Sequence, residues 1–239
     1  MIKKPFSLFS ITVFAFILAL ISALAATKQS LAQTVPNEEP TVVAPSPQSI
    51  EQWRNAVSNT DFSGLVLVAH KGEALFQFKF GLANREKGIP FAQDTVFDIG
   101  SVTKQFTATA IIKLSQEGAL SVEDPITRFF EKVPNDKKHI TLHHLLTHSS
   151  GLPHGFGLYQ TVTSKQLIEE AMNAELKFTP GTQYSYSNAG YSLLGIIIEK
   201  VSAVPYEAYL QKNIFTPAGL RNTGYQLIEP HPDKLSVHY

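Results

Sequence analysis

Residues 97–104 read FDIGSVTK, and they separate two kinds of sequence pattern. Before them, residues 62–70 and 74–80 alternate between apolar and polar side chains on either side of a Lys-Gly turn, which is typical of a hairpin of half-buried strands. After them, apolar residues recur at helical spacing through a long block that prolines divide. Strands followed by helices predict an α+β fold, with an antiparallel sheet flanked by a helical region, and not alternating βαβ units.

The same patterns predict individual elements around this stretch. Residues 95–99 are expected to be extended and to pass through Gly100 into a helix that begins at Ser101 and ends near Gly118. A separate helix is expected to start near Ser49. Further helices are expected at residues 142–148, 164–174, 189–201 and 206–214.

Composition excludes several classes of protein. The 239 residues carry 20 basic and 20 acidic side chains, so no net charge attracts nucleic acid. The absence of cysteine excludes disulfides, thiolate metal sites and a cysteine nucleophile. A covalent catalyst would therefore have to be Ser, Thr, Lys, Tyr, His or a carboxylate. We expect a monomer without nucleic acid and without a metal or other cofactor.

The N-terminal segment has the features of an export signal. Two lysines near the start precede an apolar run over residues 6–26, and Ser-Leu-Ala follows at residues 30–32. The sequence therefore predicts a cleaved signal peptide over residues 1–32, a proline-rich linker over 33–48 and a single domain over 49–239. The alternative is an uncleaved anchor, because the apolar run nears the ~20 residues that span a bilayer. The protein is expected to be exported, to the periplasm or outside the cell, and to touch a membrane only through an uncleaved signal.

Ser101 and Lys104 form the first candidate for chemistry. The expected helix would present Ser101 at its N-terminus, where backbone N–H groups favour negative charge. Lys104 lies three residues on, so both side chains would share one helix face, with Cβ atoms about 5–6 Å apart. A lysine amine that loses its proton can accept the serine proton and so activate the hydroxyl. The alternative is structural, with Ser101 as a simple helix cap and Lys104 as a solvated residue.

A second candidate lies in residues 178–191, FTPGTQYSYSNAGY, where a Pro-Gly turn leads through an aromatic loop into a helix. Tyr186 and Asn188 are two apart, so in an extended loop both side chains point the same way. A phenol titrates near ~10 in water, but adjacent cations lower that pKa and make its anion a general base. An Asn amide offers a donor and an acceptor to a substrate amide. The alternative is that the tyrosines pack and the asparagine caps the helix.

Together the two segments resemble the serine β-lactamase and penicillin-binding-protein superfamily. The matching residues also include GALSVEDP at 118–125 and ITLHHLLTHSSGLP at 140–153, and 85 positions separate Ser101 from Tyr186. Tyrosine, and not serine, at the start of the second motif favours the branch of class C β-lactamases with their DD-peptidase and esterase relatives. The resemblance implies a β-lactamase/transpeptidase-like fold.

The resemblance also implies a role for each candidate residue. Ser101 would attack a carbonyl and form an acyl-enzyme, and Lys104 and Tyr186 would share proton transfer. Asn188 would hold the amide of the substrate. The backbone N–H of Ser101 would supply half of an oxyanion hole. The substrate would be a β-lactam, a D-Ala-type peptide or a short ester, all of which suit one acyl-transfer site.

One motif of this family is missing from the sequence. It is Lys or His followed by Thr or Ser and Gly, on a core strand that supplies the second oxyanion donor, and no segment after Tyr186 matches it. Losing one such donor typically costs ~10²–10³ in turnover. We therefore expect that the C-terminal strands are absent from this chain, that the full-length gene product is the enzyme, and that these 239 residues alone are weakly active or inactive.

Other functions remain as alternatives. Five histidines fall within residues 139–154, and two pairs have the i, i+4 spacing of helical metal ligands, but no Glu follows as in H-E-x-x-H. Of these, His148 is expected to hydrogen-bond the turn that follows it. An α/β-hydrolase is disfavoured, since no G-x-S-x-G occurs. A penicillin sensor or slowly acylating homologue that binds without turnover is the second class of function.

Overall fold

The computed structural model describes residues 46–155, 163–224 and 234–237. The predicted signal peptide and nearly all of the predicted linker lie outside these residues. The chain separates into two units, Met1–Asn55 and Ala56–Tyr239. Helix α1 (Pro47–Ser58) runs from the first unit into the second, starts two residues before the expected position and has no buried residue. Among the residues described, no helix is both long enough and apolar enough to cross a membrane.

The predicted hairpin is present. Strand β1 (Gly64–His70) pairs antiparallel with β2 (Glu73–Phe80), and Lys71 and Gly72 form the turn, both with positive φ. A turn in which both central residues have positive φ has a backbone twist that matches the right-handed twist of the two strands. A second, smaller antiparallel pair consists of β3 (Leu82–Asn84) and β4 (Ile89–Pro90).

The expected extended segment at residues 95–99 forms no continuous strand with other described residues. Within that part of the chain Val96 alone of these five pairs, in a parallel bridge with Leu235, and its N–H donates to the carbonyl oxygen of Lys234 at 2.8 Å. The Asp98 side chain then accepts the N–H of Gly100 at 2.7 Å, a local turn that competes with strand pairing. Gly100–Val102 form a 3₁₀ turn, and helix α2 (Thr103–Gln116) begins two residues later than expected.

The helical block contains four further helices, each within a predicted segment or offset by one residue. They are α3 (Leu142–Leu146), α4 (Ser164–Asn173), α5 (Asn188–Ser202) and α6 (Tyr206–Leu210), the last continuing as a π-helical turn, Gln211–Phe215. Helix α3 ends two residues before the expected position, because His148 has φ of 58° and cannot continue a right-handed helix. The prediction that Gly118 closes α2 is confirmed, with φ of 74°.

Helix α5 lies at the centre of the core. Leu193, Leu194, Ile197 and Ile198 are at most 1% exposed, and their spacing of three and four places them on one buried face. Burying each such side chain contributes about 1.5–3 kcal/mol. Helix α2 packs on α5, and the hydroxyls of its Thr107 and of Tyr206 hydrogen-bond at 2.6 Å. The N-terminal ends of α2 and α5 thereby lie close together, and these ends carry the candidate site.

Candidate active site

The 3₁₀ turn before α2 places the Ser101 hydroxyl at an exposed position next to Lys104. The Lys104 Nζ donates to Ser101 Oγ at 3.3 Å, as the three-residue spacing leads one to expect. Within the described part of the chain, the backbone N–H of Ser101 donates to no acceptor. A free donor beside a helix N-terminus suits negative charge on an oxygen bonded near Ser101.

Tyr186 lies on the other side of the same hydroxyl. Its Oη donates to Ser101 Oγ at 2.7 Å, and Lys104 Nζ lies 4.7 Å from the centre of its ring. Burial by itself would raise the pKa of Tyr186, but hydrogen bonding to Lys104 and Ser101, together with the charge of Lys104, lowers it below the ordinary value of 10. A phenol with a lowered pKa is a better proton acceptor near neutral pH, because more of it is ionised.

Asn188 is the fourth residue of this cluster. Lys104 Nζ donates to Asn188 Oδ1 at 2.7 Å, which links the start of α5 to the start of α2. The cap of α5 is not Asn188 but Ser187, whose hydroxyl oxygen accepts the N–H of Gly190 at 3.1 Å. The asparagine side chain is therefore not used as the helix cap.

Ser187 has a structural part in the site that the sequence analysis missed. It is 1% exposed, and its hydroxyl donates to the Pro153 carbonyl oxygen at 2.7 Å. Together with the cap, this bond ties the Tyr186 loop to the segment that follows α3. A serine directly before the start of a predicted helix is a preferred cap residue, so the sequence did contain the signal.

His148 joins the same two segments, and its expected hydrogen bond to the following turn is wrong. Its Nδ1 instead accepts the backbone N–H of Ser187 at 3.1 Å, and its carbonyl oxygen accepts the N–H of Ser185 at 2.9 Å. These two bonds lie on either side of Tyr186. A contact between residues 39 positions apart cannot be read from local spacing.

The metal alternative finds no support in the geometry. Within the three described ranges, no three His, Asp or Glu side chains gather to hold an ion. His144 instead forms a capping box with Thr141, in which each side chain bonds the backbone N–H of the other at 3.2 Å. That pairing uses His144 to start α3, which is a structural role.

A cavity of about 420 Å³ adjoins the cluster, with Lys104 and Asn188 in its wall. The rest of its lining comes from α2, α4, α5 and α6, and includes Leu167, Tyr191, Gly195 and Tyr206. A larger depression of about 1010 Å³ is lined by Phe130, Lys165 and Lys200 among others, and it includes none of the four candidate residues. The smaller cavity therefore adjoins the cluster on its Lys104 and Asn188 side, and Ser101 and Tyr186 are not part of its lining.

Residues 51–239 match the protein-family model described as Beta-lactamase. The chain belongs to the Beta-lactamase family. Two proteins that are similar to this chain have different names and functions in those names. Penicillin-binding protein 4* of Bacillus subtilis (strain 168) is 34% identical over 187 residues, which cover 74% of this chain and 41% of that protein. Esterase EstB of Burkholderia gladioli is 30% identical over 198 residues, covering 73% and 49%.

Solved structures of Beta-lactamase relatives give the same result for the fold. The octameric penicillin-binding protein homologue from Pyrococcus abyssi aligns with a TM-score of 0.66 at 35% identity, covering 79% of this chain and 46% of that one. The D-amino acid amidase from Ochrobactrum anthropi SV3, complexed with L-phenylalanine amide, aligns with a TM-score of 0.60 at 30% identity, covering 70% and 49%. The predicted β-lactamase/transpeptidase-like fold is confirmed. The chain spans less than half the length of each of these four relatives.

Proposed function

We propose that this member of the Beta-lactamase family is an exported serine hydrolase that forms an acyl-enzyme on Ser101. The observation that carries the proposal is the convergence on one hydroxyl, since Ser101 Oγ accepts hydrogen bonds from both Lys104 Nζ and Tyr186 Oη. A nucleophile within hydrogen-bond reach of a base that is itself oriented by a third group is the arrangement that covalent catalysis requires. Tyrosine in the second motif supports placement in the class C-like branch.

The proposed reaction begins with transfer of the Ser101 proton to the Tyr186 phenolate. Tyr186 Oη and Ser101 Oγ lie 2.7 Å apart, and the direction of their hydrogen bond reverses when the phenol is ionised, so that Ser101 becomes the donor. Oγ bonds to the carbonyl carbon, and the carbonyl oxygen takes up negative charge beside the Ser101 N–H. Collapse breaks the bond to the leaving group, which takes its proton back from Tyr186. Lys104 holds the charge of the phenolate, and Asn188 binds the substrate amide. Water then hydrolyses the acyl ester.

Tyr186→Phe tests the proton transfer. We expect the rate of acyl-enzyme formation to fall about 10²-fold, because the base is lost while the ring and its packing stay. The measurement is the burst of p-nitrophenolate released from p-nitrophenyl acetate by the purified chain. Tyr184→Phe is the matched control, since Tyr184 lies two residues away and is 70% exposed. Equal burst rates in the two variants would remove Tyr186 from the mechanism.

The similar proteins narrow the class of substrate. Their names describe penicillin binding, an esterase and a D-amino acid amidase. All three fit attack on an activated or amide carbonyl, so we propose β-lactams, D-Ala-type peptides or short esters for this chain. We further propose that the acyl portion of the substrate enters the 420 Å³ cavity, because Lys104 and Asn188 form one wall of it.

Gly195→Leu tests the use of the cavity. A Cβ at Gly195 would meet only ring carbons of Tyr206, at 3.8 and 3.9 Å, so the helix accepts a side chain there and the cavity fills. We expect acylation by p-nitrophenyl hexanoate to fall about tenfold relative to acetate, the scale of steric discrimination in apolar pockets. Gly195→Ala, which adds one methyl group, should leave that ratio nearly unchanged. An unchanged ratio in Gly195→Leu would show that the acyl group lies elsewhere.

Burst and steady-state rates separate the proposal from its alternative. A hydrolase releases one equivalent of p-nitrophenolate rapidly and then continues at a steady rate. A slowly acylating penicillin-binding homologue stops after the first equivalent. The proposal fails if neither a burst nor a labelled protein is obtained with p-nitrophenyl acetate or fluorescent penicillin.

A further inference from the structure

His148 has a backbone conformation that needs support from its surroundings. Its φ of 58° is left-handed, which costs a residue with a Cβ about 1–2 kcal/mol. Two hydrogen bonds to the Tyr186 loop provide that support, from the Ser185 N–H to its carbonyl oxygen and from the Ser187 N–H to its Nδ1. The strained residue is thus fixed by contacts to the backbone on both sides of Tyr186.

The imidazole ring also fixes the plane of the tyrosine. Its centre lies 4.5 Å from that of Tyr186 at an interplanar angle of 30°, and 5.1 Å from that of Tyr191 at 36°. The ring of Tyr184 approaches it edge-on at 5.9 Å. Because Tyr191 Oη is itself bonded to the Leu146 carbonyl oxygen at 3.0 Å, the stack has a fixed base on α5. A shift of His148 would therefore move Tyr186 relative to Ser101.

This arrangement requires a neutral imidazole. Nδ1 accepts the Ser187 N–H, so it carries no proton, and a protonated ring would turn that acceptor into a second donor. Burial lowers the pKa of His148, and the charge of Lys104 on α2 lowers it further. Among the residues that the structure describes, the other titratable groups that face the ring are Tyr184 and Tyr186 on the loop and Tyr191 on α5. None of the described carboxylates contributes to this pKa.

We propose that His148 is a positioning residue that aligns Tyr186 with Ser101 only while its imidazole is neutral, so that acidification disables acylation. The inference rests on the proposed acyl-enzyme chemistry. Protonation removes the acceptor for Ser187 and adds a cation beside Lys104, and both effects displace the loop that carries Tyr186. The same linkage lowers the stability of the fold below the ordinary histidine pKa of 6.5, because the unfolded chain takes up the proton first.

The test compares His148→Asn and His148→Phe with the unsubstituted chain across the acid range. Asn keeps an oxygen near the position of Nδ1 and tolerates the left-handed conformation, whereas Phe keeps the ring and loses the acceptor. The unsubstituted chain should lose acylation as the pH falls through the His148 titration. Both variants should be slower, by about tenfold, and should keep only the pH dependence that comes from protonation of the Tyr186 phenolate, without the step at the His148 titration. His154→Asn is the control, since His154 also stacks on Tyr186, at 5.4 Å, but its ring does not bond Ser187.

Two activity profiles would overturn the inference. The first is a step at the His148 titration that persists in His148→Asn, and the second is the loss of that step in His154→Asn instead. The amide resonance of Ser187, followed by NMR in the same pH series, reports the hydrogen bond independently of activity. Its chemical shift should change with the same pH midpoint as the activity, and a pH-independent chemical shift contradicts the proposal. If the chain shows no Ser101-dependent burst at any pH, the proposed function fails, and the Ser187 resonance still decides whether His148 acts as stated.

Discussion

Ser101→Ala is expected to lower the rate of acyl-enzyme formation by about 10³-fold or more, which is the scale of removing a nucleophile. Lys104 Nζ and Tyr186 Oη both bond to the hydroxyl that this substitution deletes, so no neighbouring group can replace it in the same position. The burst of p-nitrophenolate should fall to the rate of a buffer blank, and labelling by fluorescent penicillin should vanish.

Ser115→Ala is the matched control for that experiment. Ser115 lies on the same helix, α2, about three turns beyond Lys104, and is half-buried. It should keep the burst of the unsubstituted chain. A burst that survives in Ser101→Ala would assign the nucleophile to another residue and remove the basis of the proposed function.

Gly151→Ala is expected to lower the free energy of unfolding by about 2–4 kcal/mol, near the upper end of single substitutions. Gly151 has φ of 78°, and an added Cβ would overlap the Phe178 carbonyl oxygen. The overlap is with backbone, so no side-chain rotation relieves it. The neighbouring Lys177 N–H donates to the Gly151 carbonyl oxygen at 2.8 Å, so the displacement would also pull on the segment that leads to Tyr186.

Gly88→Ala separates the cost of the left-handed backbone conformation from the cost of the overlap with backbone at Gly151. Gly88 has a similar φ of 64°, but a Cβ there would meet nothing within 4 Å. It should cost only the left-handed conformation, about 1 kcal/mol. Unfolding in guanidinium chloride measures both variants. If they lose the same stability, the close approach of the two backbones at Gly151 does not matter, and the account of how the site loops are joined is wrong.

Local patterns were sufficient for the elements whose contacts are local. The Lys71-Gly72 turn, the helix from the first candidate motif to Gly118, and the one-turn separation of Ser101 and Lys104 all follow from spacing and turn chemistry. In each case the decisive interaction lies within a few residues along the chain, where periodicity and glycine positions carry the information.

The errors lie where distant residues decide the conformation. Among the described residues, the segment at 95–99 makes one bridge, from Val96 to Leu235, and local spacing cannot identify so distant a partner. Helix α3 ends early because His148 is held by Ser185 and Ser187, which lie more than thirty positions later. The contact between His148 and Ser187 was missed for the same reason, since only the folded chain brings the two loops together.

The central claim is that Lys104 and Tyr186 activate the hydroxyl of Ser101 as the nucleophile. Intact-mass analysis and peptide mapping of the 239-residue chain after reaction with a fluorophosphonate test it most directly. The account predicts a single adduct, on the peptide that contains Ser101. An adduct on Ser185, Ser187 or any other residue, or no adduct at all, would contradict it.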